Sequence, residues 1–443
     1  MNDCVEDVLD LKLQKIEKNN NVYETGTVIK VQDYIIEARG LENVGFFEQV
    51  NIANKAIGYV IEILYNSVIV AILKETNKIT VGDIVYSTGE EFSSYVSSNY
   101  MGRVVDIFGE DKLTGKKFDG LQKINVENPN ISIMDRTKVN RPLLTGITGI
   151  DLIYPIGKGQ RQLIIGDKKT GKTQLSLDII ANQQGKNVVC IYIAVGKTKK
   201  EVKEIHHELF ERGILNYTFI LAAFNDEKPT VLSLTPYVGL SIAEFYLASK
   251  YDVLVVIDDL KRHADAYREI SLMSGKAPGR DAYPADIFYT HSRLLEKGCQ
   301  HKNGGSITII PIVETKAGDI TDYISTNVIS ITDGQLVLSS NSFNKGEKPA
   351  IDYGLSVSRL GGAVQEDDMK ETGANLRRAL LSYLETRDVY ELANIDEMGD
   401  ELRTKMEDGK KIISNLMQYK YSPKTKEEML NSFAFLKKDK NED

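Results

Sequence analysis

The spacing of apolar residues changes along this chain, and the changes divide it into regions of different structure. At the N-terminus, apolar residues recur at helical spacing on a charged segment, residues 1–21. The four residues on this face are Val5, Leu9, Leu13 and Ile16. The pattern fits either a short docking helix or a partly ordered tail.

Short runs rich in β-branched residues follow, from about Val22 to Tyr86. Three of them lie at 27–31, 34–38 and 67–73, and glycines separate the runs. Many short strands with no helical pattern predict a small closed barrel, because closure removes exposed strand edges.

Strands and helices alternate from about residue 93 to 365. Near-continuous apolar runs lie at 188–195, 253–257 and 307–310. Such runs are expected of central parallel strands that are buried on both faces. This region is therefore predicted to be an α/β domain.

A helical pattern begins at about Glu366. Leu376, Leu380 and Leu384 fall on one face, and Leu392 and Ile395 follow. We therefore expect three domains: a helix and barrel over 1–92, an α/β domain over 93–365, and a C-terminal helical domain over 366–443.

One motif within the α/β region indicates its chemistry. Residues 166–173 fit the phosphate-loop pattern G-x-x-x-x-G-K-[ST]. Its members are Gly166, Asp167, Lys168, Lys169, Thr170, Gly171, Lys172 and Thr173. An apolar run at 162–165 precedes the motif, and apolar residues at helical spacing follow it. A strand, a glycine-rich loop and a helix in that order predict a P-loop, RecA-like nucleotide-binding domain.

The residue types of this motif suit a nucleotide. Glycines allow several backbone N–H groups to point at one anion, and the start of the following helix is electropositive. Lys172 can contact the β- and γ-phosphates of ATP or ADP, while the Thr173 hydroxyl can bind Mg²⁺. The run at 253–257 leads directly into Asp258, which we predict holds Mg²⁺ through water.

Composition and charge argue against some binding partners and indicate a cellular location. The chain has 55 basic and 63 acidic residues and a net charge of −8, which argues against general binding to nucleic acid. Its three cysteines are far apart, which fits a reducing cytosol. From the sequence we expect no apolar run of membrane-spanning length. A cytoplasmic protein, peripheral on the inner face of the membrane through a larger complex, is the expected location.

Dense local matches make the chain resemble the α subunit of F-type ATP synthases. They are RPLLTGI at 141–147, PIGKGQR at 155–161, DDL at 258–260, PGRDAYP at 278–284, HSRLLE at 291–296, TNVISITDG at 326–334, SVSR at 356–359 and YSP at 421–423. Heavy use of Lys, Asn and Ile, the absence of Trp and a short C-terminal region resemble the divergent α-like paralogues of wall-less bacteria.

The resemblance implies a hetero-hexameric, α₃β₃-like ring with a catalytic β-like partner and a central stalk. A peripheral stalk docked by the N-terminal helix is a further candidate partner. The resemblance also implies that Arg359 is an arginine finger that acts on the catalytic site of the neighbouring subunit, and that Ser356 supports it. Where catalytic β subunits carry a glutamate, this chain has Lys197, and a lysine cation is a poor base. A non-catalytic ATP site is therefore expected.

The resemblance also assigns the base pocket. The positions that hold adenine in the family correspond to Phe343, Lys348, Gln418 and Lys420. Two of them are lysines here, where the family has other residues. Two other functions remain open at this stage: a subunit of a repurposed ATP-hydrolysing motor, for example for motility, that is not coupled to protons, and an independent catalytic P-loop ATPase.

Overall fold

The computed structural model describes residues 24–390 and 400–436. The expected N-terminal helix, together with Leu392 and Ile395, lies outside these described residues. Within them, a barrel, a parallel α/β sheet and a group of helices follow one another along the chain, which confirms the predicted fold class.

The first six strands of the described part of the chain form the closed barrel. They are β1 (Thr25–Gln32), β2 (Ile35–Arg39), β3 (Glu48–Ile52), β4 (Ala56–Ile63), β5 (Val68–Glu75) and β6 (Ile84–Glu91). Neighbouring strands pair in the order β1-β2-β5-β4-β3-β6, and β6 closes onto β1. Alternate side chains such as Val28, Ile36, Val50 and Val70 fill the interior, as the period of a strand requires.

Twelve further strands follow the barrel within residues 24–390 and 400–436. They are β7 (Ser93–Val96), β8 (Val104–Val105), β9 (Gln122–Asn125), β10 (Arg136–Thr137), β11 (Gln162–Asp167), β12 (Val188–Lys197), β13 (Thr218–Phe224), β14 (Asp252–Asp258), β15 (Cys299–His301), β16 (Ser306–Thr315), β17 (Gly334–Leu338) and β18 (Val357–Ser358). The main sheet has the order β18-β17-β11-β16-β14-β12-β13-β8. From β17 to β8 the strands are parallel, so their carboxyl ends meet at one edge of the sheet.

Eleven α-helices occur in the described residues. They are α1 (Thr148–Ile153), α2 (Lys172–Ala181), α3 (Lys199–Glu211), α4 (Pro229–Ala248), α5 (Leu260–Met273), α6 (Ile287–Leu295), α7 (Tyr323–Ile331), α8 (Ser340–Asn344), α9 (Asp367–Tyr390), α10 (Asp400–Leu416) and α11 (Lys426–Ser432). The predicted limits between domains stay a prediction.

Helix α4 contains a longer apolar run than we expected from the sequence. It is long and apolar enough to cross a membrane, but 72% of its most apolar stretch is buried inside the protein. It packs against strands β12, β13 and β14 and against helix α5. Contacts within the protein therefore account for its apolar surface.

The C-terminal helices pack closely on the sheet domain. Leu376 and Leu380 of α9 are buried, as their helical spacing predicts. Gly373 of the same helix lies against α1, where an added Cβ atom would be 2.1 Å from the carbonyl oxygen of Leu152. A glycine is therefore needed for α9 to approach α1 this closely.

Candidate nucleotide-binding site

The phosphate loop connects β11 to α2 at the carboxyl edge of the sheet. Gly171 precedes α2 with φ +95°, a left-handed conformation that a side chain would strain. An added Cβ atom at Gly166 would lie 2.6 Å from the carbonyl oxygen of Leu338. Thr170 is buried, and its hydroxyl donates a hydrogen bond to the carbonyl oxygen of Asp167 at 2.8 Å. The loop is thus compact and internally bonded.

Lys172 lies across this loop. Its Nζ donates a hydrogen bond to the Asp167 carbonyl oxygen at 2.5 Å, and the residue is only 7% exposed. Burial lowers the pKa of Lys172, although the carboxylates of Glu314 and Asp259 oppose this shift. An anionic ligand beside the loop would give this buried cation the partner that the loop carbonyl only partly supplies.

The Asp167 side chain anchors the loop. One carboxylate oxygen accepts hydrogen bonds from the Thr315 hydroxyl and the Gly318 N–H, both at 2.7 Å, and the other accepts from Ser340 at 3.1 Å. Burial would raise the pKa of Asp167, but these hydrogen bonds outweigh it and lower the pKa. The remaining loop residues, Lys168 and Lys169, are exposed.

Asp258 ends strand β14, directly beside the start of α2. Its Oδ2 accepts a hydrogen bond from the Thr173 hydroxyl at 2.7 Å, and the residue is 3% exposed. The same oxygen accepts from the Tyr192 hydroxyl and lies 2.9 Å from the ammonium of Lys197. The structure therefore brings the two predicted metal-binding residues together and adds two donors, Tyr192 and Lys197, whose contact with Asp258 is not predicted from the sequence.

Strand pairing explains why those two donors converge. Strand β12 pairs in parallel with β14, which aligns Ala194 with Asp258. Tyr192 is two residues earlier on the same face, and Lys197 follows at the end of the strand. Burial, followed by the Asp258 charge, raises the pKa of Tyr192 well above its usual value. The sequence offered one indication of this contact, because Tyr192 carries a hydroxyl within an otherwise apolar strand.

Lys197 and Asp258 form a buried ion pair. Burial alone would lower the pKa of Lys197, but the charge and hydrogen bond of Asp258 outweigh it and raise the pKa. Lys197 therefore stays an ammonium, which cannot accept a proton from water.

Asp259 has a structural position beside this pair. It precedes α5, and its carboxylate accepts hydrogen bonds from the N–H groups of Lys261 at 2.6 Å and Glu314 at 3.1 Å. Burial and the neighbouring Asp258 charge raise the pKa of Asp259 to about 7. It thus caps a helix and joins two strand ends.

A cavity of about 580 Å³ lies next to the phosphate loop. Thr170 and Gly171 of the loop line it. The four residues predicted to hold adenine also line it, namely Phe343, Lys348, Gln418 and Lys420. The structure therefore brings together residues from the loop, from α8 and from the segment after α10, although they are far apart in sequence.

The polar side chains that line this cavity differ in how far their contacts with the protein already engage them. The Lys348 ammonium lies 4.7 Å from the centre of the Phe343 ring, so the two form a cation–π pair. Lys420 is exposed. Gln418 is half-buried and its side-chain amide is used by the protein: Nε2 donates to the carbonyl oxygens of Gly146 at 2.6 Å and Ser422 at 2.5 Å.

Arg359 does not join this site. Ser358 pairs with Gly334 on β17, and Gly334 pairs with Gln162 at the beginning of β11. The phosphate loop follows the other end of β11, so about 17 Å of strand separates it from the Arg359 edge. Arg359 is exposed and donates a hydrogen bond to the carbonyl oxygen of Ile329 at 3.2 Å.

Ser356 is buried beside the same strands. Its hydroxyl accepts a hydrogen bond from the Val337 N–H at 3.0 Å. It ties the segment before Arg359 to β17 and so fixes where that segment leaves the sheet.

A compact glycine loop with a buried lysine, a Thr–Asp pair at the carboxyl edge of a parallel sheet and an adjoining cavity define a P-loop nucleotide-binding protein. A family model for the nucleotide-binding domain of the ATP synthase alpha/beta family matches residues 146–358. The chain belongs to the family of F-type ATP synthase alpha subunits.

Curated relatives match over nearly the whole chain. The ATP synthase subunit alpha of Clostridium botulinum is 42% identical over 94% of this chain and 83% of its own length. That of Mycoplasma pneumoniae is 40% identical over 96% of this chain and 83% of its own length. That of Mesomycoplasma hyopneumoniae is 41% identical, over 96% and 84% respectively.

Proposed function

We propose that the chain is a non-catalytic, ATP- or ADP-binding subunit of an F-type rotary ATPase, and that Arg359 acts on the catalytic site of a neighbouring β-like subunit. The observation that carries this proposal is the placement of Arg359 and the phosphate loop at opposite ends of β11. The Arg359 guanidinium is far from the phosphates of a nucleotide bound at this chain's own loop. It is exposed, so it can enter the site of a partner subunit.

The nucleotide would bind with its phosphates at the loop and its base in the adjoining cavity. Lys172 and the loop N–H groups would hold the phosphates, and the Phe343 ring offers an apolar face for the base. Thr173 and Asp258 fit Mg²⁺ in chemistry, because both present oxygen ligands and their oxygens lie 2.7 Å apart. When bound, Mg²⁺ would neutralise phosphate charge.

Hydrolysis at this site would lack the glutamate that catalytic β subunits carry at the position of Lys197. A carboxylate would be needed at that position to activate the attacking water, but the residue there is Lys197, and its ammonium is bound to Asp258. We therefore expect nucleotide bound here to stabilise the assembly without turning over.

The Arg359→Ala variant tests the arginine finger. Co-expressed with its β-like partner, it should assemble normally while the ATPase rate of the complex falls at least ~100-fold, since such arginines contribute roughly 10³–10⁵ in turnover. Arg378→Ala is the matched control, because Arg378 is an exposed arginine on α9. A normally assembled Arg359→Ala complex with near-normal turnover would refute the proposal.

The proposed partners are a β-like subunit in a hetero-hexameric ring, a central stalk, and a peripheral stalk docked by the N-terminal segment. The complex would hold the chain at the inner face of the membrane. Native purification followed by mass spectrometry tests these partners. Recovery without proton-channel subunits would instead favour a repurposed motor.

A further inference from the structure

The ammonium of Lys197 lies beside Asp258, the carboxylate predicted to hold a metal ion. It is 2.9 Å from Asp258 Oδ2, the same oxygen that accepts the Thr173 hydroxyl at 2.7 Å. The Tyr192 hydroxyl is a further donor to that oxygen. One carboxylate oxygen thus already has three donors, and one of them is a full cation.

We propose that Lys197 acts as a built-in substitute for Mg²⁺, so that this site binds metal-free nucleotide nearly as well as the Mg²⁺ complex. The inference rests on the nucleotide site proposed above and concerns the form of the ligand that the site selects. Its basis is the contact of a protein cation with Asp258, the carboxylate that would otherwise help to hold the metal.

Charge balance supports this assignment. A nucleoside triphosphate without metal carries several negative charges, and it binds well only where the protein supplies cations. Lys172 supplies one at the loop. Lys197 supplies a second beside Asp258, whose negative charge it offsets, and its side chain is only 16% exposed. At such burial the charge is screened less by water and acts more strongly on a nearby phosphate.

Competition with the metal follows from the same contacts. Water-bridged Mg²⁺ needs lone pairs of Asp258, and those of Oδ2 face the ammonium of Lys197. For the metal to use Oδ2, Lys197 must leave a partly buried ion pair, which is unfavourable unless it gains a phosphate. The site therefore gains less from Mg²⁺ than a site with a neutral residue at this position.

Calorimetric titration of the full-length chain with ATP, in Mg²⁺ and in EDTA, measures this preference. For the wild type we expect the two Kd values to agree within about threefold. For Lys197→Gln we expect binding in EDTA to be at least about tenfold weaker than in Mg²⁺, the scale of one lost charge-assisted hydrogen bond. Lys199→Gln removes the same charge from an exposed position two residues away and should behave as the wild type. Equal Mg²⁺ dependence in wild type and Lys197→Gln would overturn the proposal.

A second measurement needs no nucleotide. Mg²⁺ should raise the melting temperature of Lys197→Gln, whose Asp258 lacks its cation, and should leave the wild type and Lys199→Gln nearly unchanged. A Mg²⁺-induced rise of equal size in all three proteins, or no rise in any of them, would contradict the assignment. Because this test is independent of ATP, it decides on Lys197 even if none of the proteins binds ATP, a result that would refute the proposed nucleotide site itself.

Discussion

Replacing Gln418 with alanine should destabilise the wall of the nucleotide cavity without changing which base the cavity prefers. The Gln418 Oε1 accepts hydrogen bonds from the N–H of Thr148 at 3.2 Å and from its hydroxyl at 3.1 Å. Its Nε2 donates to Gly146 and Ser422. Every polar atom of this side chain is therefore engaged with the protein, which leaves little for an adenine.

The size of the effect follows from which groups lose a partner. Thr148 is fully buried, so its N–H would be left unpaired, at a penalty of about 1–3 kcal/mol. The Gly146 carbonyl keeps the Lys424 N–H at 2.9 Å, and Ser422 is exposed and can bind water. Release of the glutamine side chain returns up to about 1.5–2 kcal/mol of entropy, offset by the other lost bonds. We expect a net loss of about 1–2 kcal/mol in local stability.

Hydrogen–deuterium exchange and calorimetry test the two halves of this prediction. Peptides that cover 146–153 and 414–424 should exchange about 5–30 times faster in Gln418→Ala, the factor that corresponds to 1–2 kcal/mol. The ratio of ATP to GTP affinity should stay within about twofold of the wild-type ratio. A change in the pocket wall alone alters base selectivity far less than the loss of a direct contact with the base does. Lys420→Ala is the control for the exchange measurement, because Lys420 lines the same cavity but is exposed. Unchanged exchange together with a lost preference for ATP would show that Gln418 contacts the base.

Two further predictions concern stability. Burial raises the pKa of the Asp151 carboxyl to about 6, so the folded chain retains a proton that the unfolded chain releases near pH 4. Stability relative to Asp151→Asn should therefore fall as pH rises from about 4 to 6 and then level off; a difference in melting temperature that does not vary with pH would contradict this. Gly373→Ala would place its Cβ 2.1 Å from the Leu152 carbonyl oxygen and should lower the unfolding free energy by about 1–3 kcal/mol. Gly354→Ala, where the nearest atom is 3.4 Å away, should melt close to the wild type.

Features encoded by neighbouring residues were predictable. The phosphate loop lies within residues 166–173, and the apolar runs beside it specify a buried strand and a helix without reference to the rest of the chain. The barrel strands β1, β2 and β5 were predictable for the same reason. Leu376 and Leu380 were also predicted correctly, because helical spacing alone places them on one face.

Features that depend on long-range pairing were not predictable in this way. The contact of Lys197 with Asp258 arises from the parallel register of β12 and β14, which no local pattern specifies. Gln418 bonds to Thr148, which lies 270 positions earlier in the chain. Resemblance placed Gln418 near the base, but only the packed structure shows that its amide group joins two parts of the chain.

Several regions of the chain line the cavity beside the phosphate loop, among them the loop itself and the segment after α10. The loop contributes Thr170 and Gly171, and the segment after α10 contributes residues 417–423. A molecule that fills it touches both regions at once, so separating them would require its release. By thermodynamic linkage, a ligand present at one hundred times its Kd would oppose that separation by about 2.7 kcal/mol. The C-terminal helices would then be held to the sheet more tightly in cells rich in nucleotide than in starved ones.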